Sequence, residues 1–172
     1  MCFALSDLPD SFYAMKLNTV FLASLGLGAC AIIAVAQSQT TAAMHEAMSP
    51  TDIKWGAAPP SLPAGAQMAV LAGDPTKSGI FTVRLKAPAG YKIPLHTHPM
   101  DEGVTVVSGS VEFTMGGASA APKTLPAGGY VMMPAGMQHS ASMSGESIVQ
   151  VTAEGPFVIN YVNPADDPQK KK

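Results

Sequence analysis

Nowhere after Asp52 does the sequence hold a window in which apolar residues recur every three to four positions. That absence removes the amphipathic helix from what the chain can fold into. Gln67 begins instead a series of short apolar runs set between Gly, Pro, Asp and Ser. QMAVLAG is the first, GIFTVRLKAPAG the second and EGVTVVSGSVEFTMGG the third; GGYVMMPAGMQHSASM and ESIVQVTAEGPFVINYV continue the series. In the second run Phe81, Val83 and Leu85 alternate with Thr82, Arg84 and Lys86, the period of a strand with one buried face. The third breaks at Ser108-Gly109, which reads as the turn of a hairpin. Strands at short regular spacing with Gly and Pro between them predict an all-β sandwich or barrel.

The stretch ahead of this series has a different character. Pro59, Pro60 and Pro63 forbid a helix, so Ile53 to Pro63 is expected to run as an extended arm, pinned to the body by Trp55, the single tryptophan. Residues 37–52 are small and polar and read as a flexible lead-in, with His45 a solvated side chain. Residues 164–172 are charged and carry proline, and are expected to be a disordered tail. The folded domain is then 53–163.

Residues 1–36 read as a secretory signal peptide. Lys16 supplies the positive end, LNTVFLASLGLGACAIIAVA the apolar stretch, and Ala34-Val35-Ala36 a small-x-small cleavage site. Asp7 and Asp10 carry the wrong charge for such a leader, which makes Met15 the expected start. Two alternatives use the same segment. The apolar run is about 20 residues, enough to anchor in a bilayer uncleaved. LGAC, Leu27 to Cys30, resembles a bacterial lipoprotein box with Cys30 as the lipidated residue. The expected destination is therefore outside the cytoplasm, periplasmic or secreted, with a lipoprotein as the alternative. Cleavage after Ala36 removes Cys2 and Cys30, so the mature domain must hold together without a disulfide. It also removes Lys16, Asp7 and Asp10 from ten basic and twelve acidic residues, leaving nine and ten. That balance gives no electrostatic case for nucleic acid.

Chemistry concentrates in GYKIPLHTHPMDEGVTVVSG, Gly90 to Gly109. Residues two apart on a strand share a face, so His96 and His98 can aim both imidazoles at one point. Glu102 follows a short turn and can bring its carboxylate back to the same place. Asp101 falls on the other side and reads as solvated. Imidazole and carboxylate suit Fe, Mn, Cu, Ni and Zn alike. Further on, Gly128, Pro134 and Gly136 shape a strand, a tight turn and a second strand that presents His139.

These residues resemble the two motifs of the cupin superfamily. Gly90, His96, His98, Glu102 and Gly109 stand at the spacing of the first, and Gly128, Pro134, Gly136 and His139 at that of the second. Met143 stands where the second motif usually closes with Asn. The resemblance covers Gln67 to Asn160, one double-stranded β-helix or jelly-roll barrel, hence an exported bacterial monocupin. It implies a divalent transition metal held by His96, His98, Glu102 and His139. It does not imply a reaction.

Softer candidates surround that set. Methionine is frequent in the domain and reads first as a filler of irregular cores; the sharper alternative puts Met137 or Met143 at the barrel mouth, lining the substrate space, where sulfur could meet copper. Tyr91, Tyr130 and Tyr161 are core or rim aromatics whose hydroxyls can orient a substrate, Tyr91 foremost. Outside the ligands, His45 is the only other histidine, so acid–base chemistry is poorly supplied. The function expected is a metal-dependent oxidoreductase of dioxygenase or oxidase type on a small organic or sugar substrate. The alternatives are a non-catalytic metal or small-ligand binder and an oxygen-independent isomerase or lyase. A small cupin buries only a modest core, and the Pro-rich arm is expected to help build a homodimer.

Overall fold

The computed structural model describes residues 47–170. The expected leader, Cys30 and the lead-in up to residue 46 lie outside the described residues. Among the described residues no helix is long and apolar enough to cross a membrane.

Among the described residues the chain is all-β, as the period-two pattern predicts. The eleven strands described are β1 (Gly56–Ala57), β2 (Gln67–Ala72), β3 (Gly79–Ala87), β4 (Lys92–Thr97), β5 (Glu102–Ser108), β6 (Ser110–Met115), β7 (Lys123–Pro126), β8 (Tyr130–Met133), β9 (His139–Ser142), β10 (Ser147–Gly155) and β11 (Asn160–Tyr161). They form two antiparallel sheets. One has the order β1-β2-β3-β10-β5-β8, the other β11-β4-β9-β6-β7. Along β3, Phe81, Val83, Leu85 and Ala87 are buried while the residues between them are not. β10 lies beside it with Val149 opposite Leu85 and Val151 opposite Val83. These side chains meet Val111, Phe113 and Ala141 of the second sheet in one hydrophobic cluster. Each such Val, Leu or Phe contributes about 1.5–3 kcal/mol by leaving water. The outward residues of β3 and β10 pair by polarity: the Arg84 Nε–H donates to Gln150 Oε1 at 3.1 Å, and Thr82 and Thr152 hydroxyls meet at 3.1 Å.

The hairpin expected at Ser108-Gly109 does not form. β5 and β6 are consecutive in sequence but belong to different sheets: β5 pairs with β10 and β8, β6 with β7 and β9. Gly109, at φ +74°, turns the chain from one sheet into the other. Local turn chemistry is the same for a hairpin and a barrel corner. What separates them is the partner each strand finds later in the chain. The tail is also more regular than expected: Pro164–Asp166 and Pro168–Lys170 each form a single 3-10 turn, the first capped by Asn163 Oδ1 accepting from the Ala165 N–H.

The arm lies on the body of its own chain. β1 pairs with β2, and the Lys86 ammonium stands 4.4 Å from the Trp55 ring centre, a cation–π contact that pins the arm as expected. The chain then turns at Pro59–Leu62, with the Leu62 N–H donating to Pro59 O. Two tyrosine hydroxyls hold this turn from below: Tyr91 donates to Pro63 O at 2.7 Å and Tyr161 to Ser61 O at 2.8 Å. Burial, and then the neighbouring Tyr161, push Tyr91 up to about 12. Burial, and then Asp167 and Asp166, push Tyr161 up to about 12. A tyrosine whose folded value lies above its unfolded value near 10 adds stability that is complete below about pH 10 and lost as pH rises through about 12. The melting temperature is therefore expected to fall across that alkaline window, with tyrosinate absorbance rising in step. In the Tyr91→Phe, Tyr161→Phe double variant that tyrosine-linked part of the fall should vanish; an unchanged slope would show that the two hydroxyls do not hold the arm.

Candidate metal centre

The two halves of the site come from different parts of the fold. In the second sheet His96 of β4 stands directly opposite His139 of β9, and Tyr161 of β11 stands opposite His96 on the other side. His98 follows one residue after β4 ends. Glu102 opens β5 in the facing sheet, between Ala153 and Met133. All four side chains are buried, with 3–6% of each residue exposed. One nitrogen from each of His96, His98 and His139 lies within 4.8 Å of the others. Glu102 Oε2 is 3.2 Å from His139 Nε2 and 3.4 Å from His98 Nε2.

Two hydrogen bonds clip the strand carrying His96 to the turn that presents His139. The Gly136 N–H donates to the His98 carbonyl at 2.8 Å, possible because Gly136 sits at φ +77°. The Ala135 N–H donates to Asp101 Oδ1 at 2.8 Å. Asp101 is exposed, but it is not simply solvated: it joins the two motif loops. Its signal was absent from the sequence because its partner is a backbone N–H 34 residues away. Asp101→Ala is expected to cost about 1 kcal/mol of stability and to weaken metal binding by loosening the turn that presents His139. Asp101→Asn keeps an acceptor and should restore most of both in a competition titration; if it fails as badly as alanine, charge rather than the hydrogen bond matters.

Every ring is oriented by a backbone carbonyl. His96 Nδ1 lies 2.7 Å from Pro94 O, His98 Nδ1 2.6 Å from Val158 O, and His139 Nδ1 3.0 Å from Met137 O. A carbonyl only accepts, so each Nδ1 carries the proton and each Nε2 offers a lone pair to the centre. The Nε2 atoms of His98 and His139 are buried and have no hydrogen-bond partner. Burial, and then the adjacent His139 ring, lower His96 to about 4, which keeps that ring uncharged at neutral pH. Burial pushes the Glu102 carboxyl upward; the pull that leaves it at about 2 needs proton donation from the His139 and His98 rings, and with both Nε2 atoms aprotic a cation among them has to supply it.

Lone pairs facing a carboxylate in a dry interior repel unless a cation sits among them. Ligand atoms about 2.0–2.2 Å from one ion are spaced about 3 Å apart, close to the two contacts with Glu102. The donor set thus fits a divalent transition ion, with N and O ligands and no sulfur.

The site opens on a cavity of about 180 Å³. His96, His98 and Glu102 form its polar end, and Leu62, Met68, Phe81, Ile93, Phe157 and Ile159 are among its apolar walls. Phe157 stacks on the His98 ring, with centres 4.4 Å apart and planes 23° apart, and packs edge-on to Phe81. A smaller space of about 50 Å³ lies behind His96, Glu102 and His139.

The three expected substrate-lining residues fall elsewhere. Tyr91 lines neither space; its ring is in the core and its hydroxyl is taken by Pro63 O. Met137 lines neither; its carbonyl, not its sulfur, serves the site by orienting His139. Met143 borders the smaller inner space, beside Tyr91 and at the end of β4 remote from His98, not the mouth. Sequence reading also missed the arm residues and the Phe157-Val158 segment. A wall residue brought in by the fold, or a carbonyl that any residue can supply, leaves no side-chain signature.

Residues 42–160 match the family profile described as "Domain of unknown function (DUF4437)". No curated protein matches the chain. Similar solved structures include an RmlC-like cupin from Shewanella frigidimarina, at 16% identity and TM-score 0.51, covering 62% of this chain and 87% of that one. The polyketide cyclase RemF from Streptomyces resistomycificus aligns at 18% identity and TM-score 0.57, covering 73% and 90%. The DMSP lyase DddQ from Ruegeria pomeroyi aligns at 21% identity and TM-score 0.54, covering 66% and 63%.

Proposed function

The chain belongs to the DUF4437 family and has the cupin fold, and we propose that it is an exported, metal-dependent oxidoreductase of dioxygenase or oxidase type acting on a small organic molecule. The observation that carries this reading is the composition of the cavity. Apart from His96, His98 and Glu102, none of its lining residues is titratable; Ser61 and Thr76 bring the only other side-chain polar atoms. Isomerisation or elimination by proton abstraction needs a base beside the substrate. Electron transfer at a metal does not.

His96, His98 and His139 through Nε2, and Glu102 through its carboxylate, would hold the ion. Such an ion supplies Lewis acidity and, if it is Fe, Mn or Cu, one-electron steps. The chain's own part is to exclude water. Leu62 and Pro59 of the arm roof the cavity and Phe157 walls it beside His98, so charge at the polar end is felt in a low-dielectric space.

Export rests on the leader-like sequence, and the homodimer on the arm; light scattering of the purified chain decides the second. The enzymatic reading is tested by elemental analysis of protein recovered from its exported form, followed by oxygen uptake with small phenols, thiols and sugars. Oxygen consumed in proportion to product supports it. A second reading, an oxygen-independent lyase or cyclase, is favoured by the names of two structural neighbours, and turnover under anaerobic conditions would put it first. Metal and ligand bound without turnover would leave a binding protein.

A further inference from the structure

Resting on the metal reading above, we propose that the substrate is a neutral, largely apolar molecule of one ring or equivalent bulk, with two neighbouring oxygens at one end, such as a 1,2-diphenol or a vicinal dicarbonyl. Size comes first. An apolar cavity of about 150 Å³ takes benzene, and the space here is about 180 Å³. It accommodates one ring with small substituents, and it lies below the roughly 300 Å³ at which pockets for drug-sized ligands begin.

Polarity comes second. Of the sixteen lining residues, Pro59, Leu62, Met68, Phe81, Phe157 and Ile159 are typical: eleven are apolar, and none is Lys or Arg. Of the cations next in sequence to lining residues, Lys92 is exposed and the other three are engaged elsewhere. Arg84 donates to Gln150, Lys86 covers Trp55, and Lys77 pairs with Asp74 at 2.9 Å. A phosphate or polycarboxylate therefore finds no counter-charge in the walls. A sugar of the same bulk would bury several hydroxyls against hydrocarbon, at about 1–3 kcal/mol for each left unpaired.

Polar direction comes third. The polar groups His96, His98 and Glu102 lie together, so the ligand's oxygens face that end and its body faces Phe157 and Met68. Four protein donors leave about two positions on a six-coordinate ion, which two adjacent oxygens match. With the Glu102 carboxylate present, a divalent ion leaves a net charge of one, enough for a single phenolate or enolate oxygen.

The test loads the full chain with zinc, which is redox-silent, and reads binding by calorimetry with three probes. 4-Methylcatechol presents one ring and two adjacent oxygens, glucose a polyhydroxyl ring, and naphthalene-2,3-diol the same oxygens on two rings. 4-Methylcatechol should bind at least about tenfold tighter than either. Met68→Ala, away from the four donors, should raise naphthalenediol affinity about tenfold relative to 4-methylcatechol by lengthening the cavity. Leu62→Trp should abolish 4-methylcatechol binding while zinc stays bound, which separates binding in the cavity from chelation in solution. Glucose preferred, naphthalenediol bound as tightly as 4-methylcatechol by the wild type, or 4-methylcatechol indifferent to Leu62→Trp would each overturn the proposal and leave the metal reading standing. A chain that holds no zinc would overturn both.

Discussion

His139→Ala is expected to abolish metal retention: the wild-type chain should carry about one divalent transition ion per chain, and the variant essentially none after dialysis. In the wild type, His98 Nε2 and His139 Nε2 are buried without a hydrogen-bond partner and approach Glu102 Oε2 at 3.4 and 3.2 Å. Three acceptors so placed cost free energy that a shared cation recovers. Outer-shell partners alone are worth about 10–100-fold in affinity, so deleting a direct donor should exceed the upper figure. The effect extends to stability. Free ion at about 1,000 times its dissociation constant stabilises the fold by about 4 kcal/mol, a rise in melting temperature of more than about 10 °C for a domain of this size. Thermal melts with and without added zinc should therefore separate for the wild type and coincide for His139→Ala. In metal-stripped protein the same substitution should still lower the melting temperature, through the lost packing of a buried ring and its bond to Met137 O, so the zinc-dependent part of the shift is what reports the metal. Melts of the wild type that ignore zinc would defeat the assignment of these four residues as ligands.

Much of this site was legible because its information lies in side-chain identity at fixed spacing. Strand alternation puts His96 and His98 on one face, and the glycine and proline positions around His139 and Glu102 give the turns that gather them; the structure brings all four together. The rest depends on groups that carry no residue signature. Carbonyls of Pro94, Val158 and Met137 set the three ring orientations, and any residue could supply them. Met137, read as core filler with a sulfur role only as the alternative, serves the site through its backbone carbonyl. Tyr91 is the core aromatic it was read as; the alternative, that its hydroxyl orients a substrate, meets the arm, where Pro63 O takes that hydroxyl. The arm was legible from its prolines, whereas its position as the roof of the cavity was not, since roofing depends on where β2 and β11 place Leu62 and Ser61. The chain's all-β character follows from alternation alone; which strand joins which sheet follows from long-range pairing, and there the hairpin reading of Ser108-Gly109 failed.

That failed reading locates the substitution with the largest expected effect on folding. Gly109→Ala should destabilise the domain by about 2–5 kcal/mol, combining the cost of a left-handed alanine, about 1–2 kcal/mol, with that of overpacking, about 1–3 kcal/mol. At φ +74° an added Cβ would run into the Ser147 hydroxyl and come within 2.5 Å of the Glu146 carbonyl oxygen. The Ser147 side chain has no room to move. Ser147 is 1% exposed, and its Oγ donates within reach of both Ser110 O and Gly145 O, at 3.0 and 3.1 Å, while accepting from the Ser110 N–H at 3.3 Å. Ser147→Ala removes one obstacle but also these bonds, and it leaves the Glu146 carbonyl in place. The double variant should therefore recover only part of the loss, with coupling between the two sites in a denaturation cycle. Against a typical total of about 5–15 kcal/mol, such a loss brings the domain close to unfolding. The damage should also reach the metal centre. Gly109 is the corner between β5, which opens with Glu102, and β6, which pairs with the strand that opens with His139. A corner that cannot close tightly lets the carboxylate and the imidazole drift apart, so zinc affinity should fall along with the melting temperature. A Gly109→Ala protein that melts and binds zinc like the wild type would mean that the corner is built by strand pairing alone and that the glycine there is dispensable.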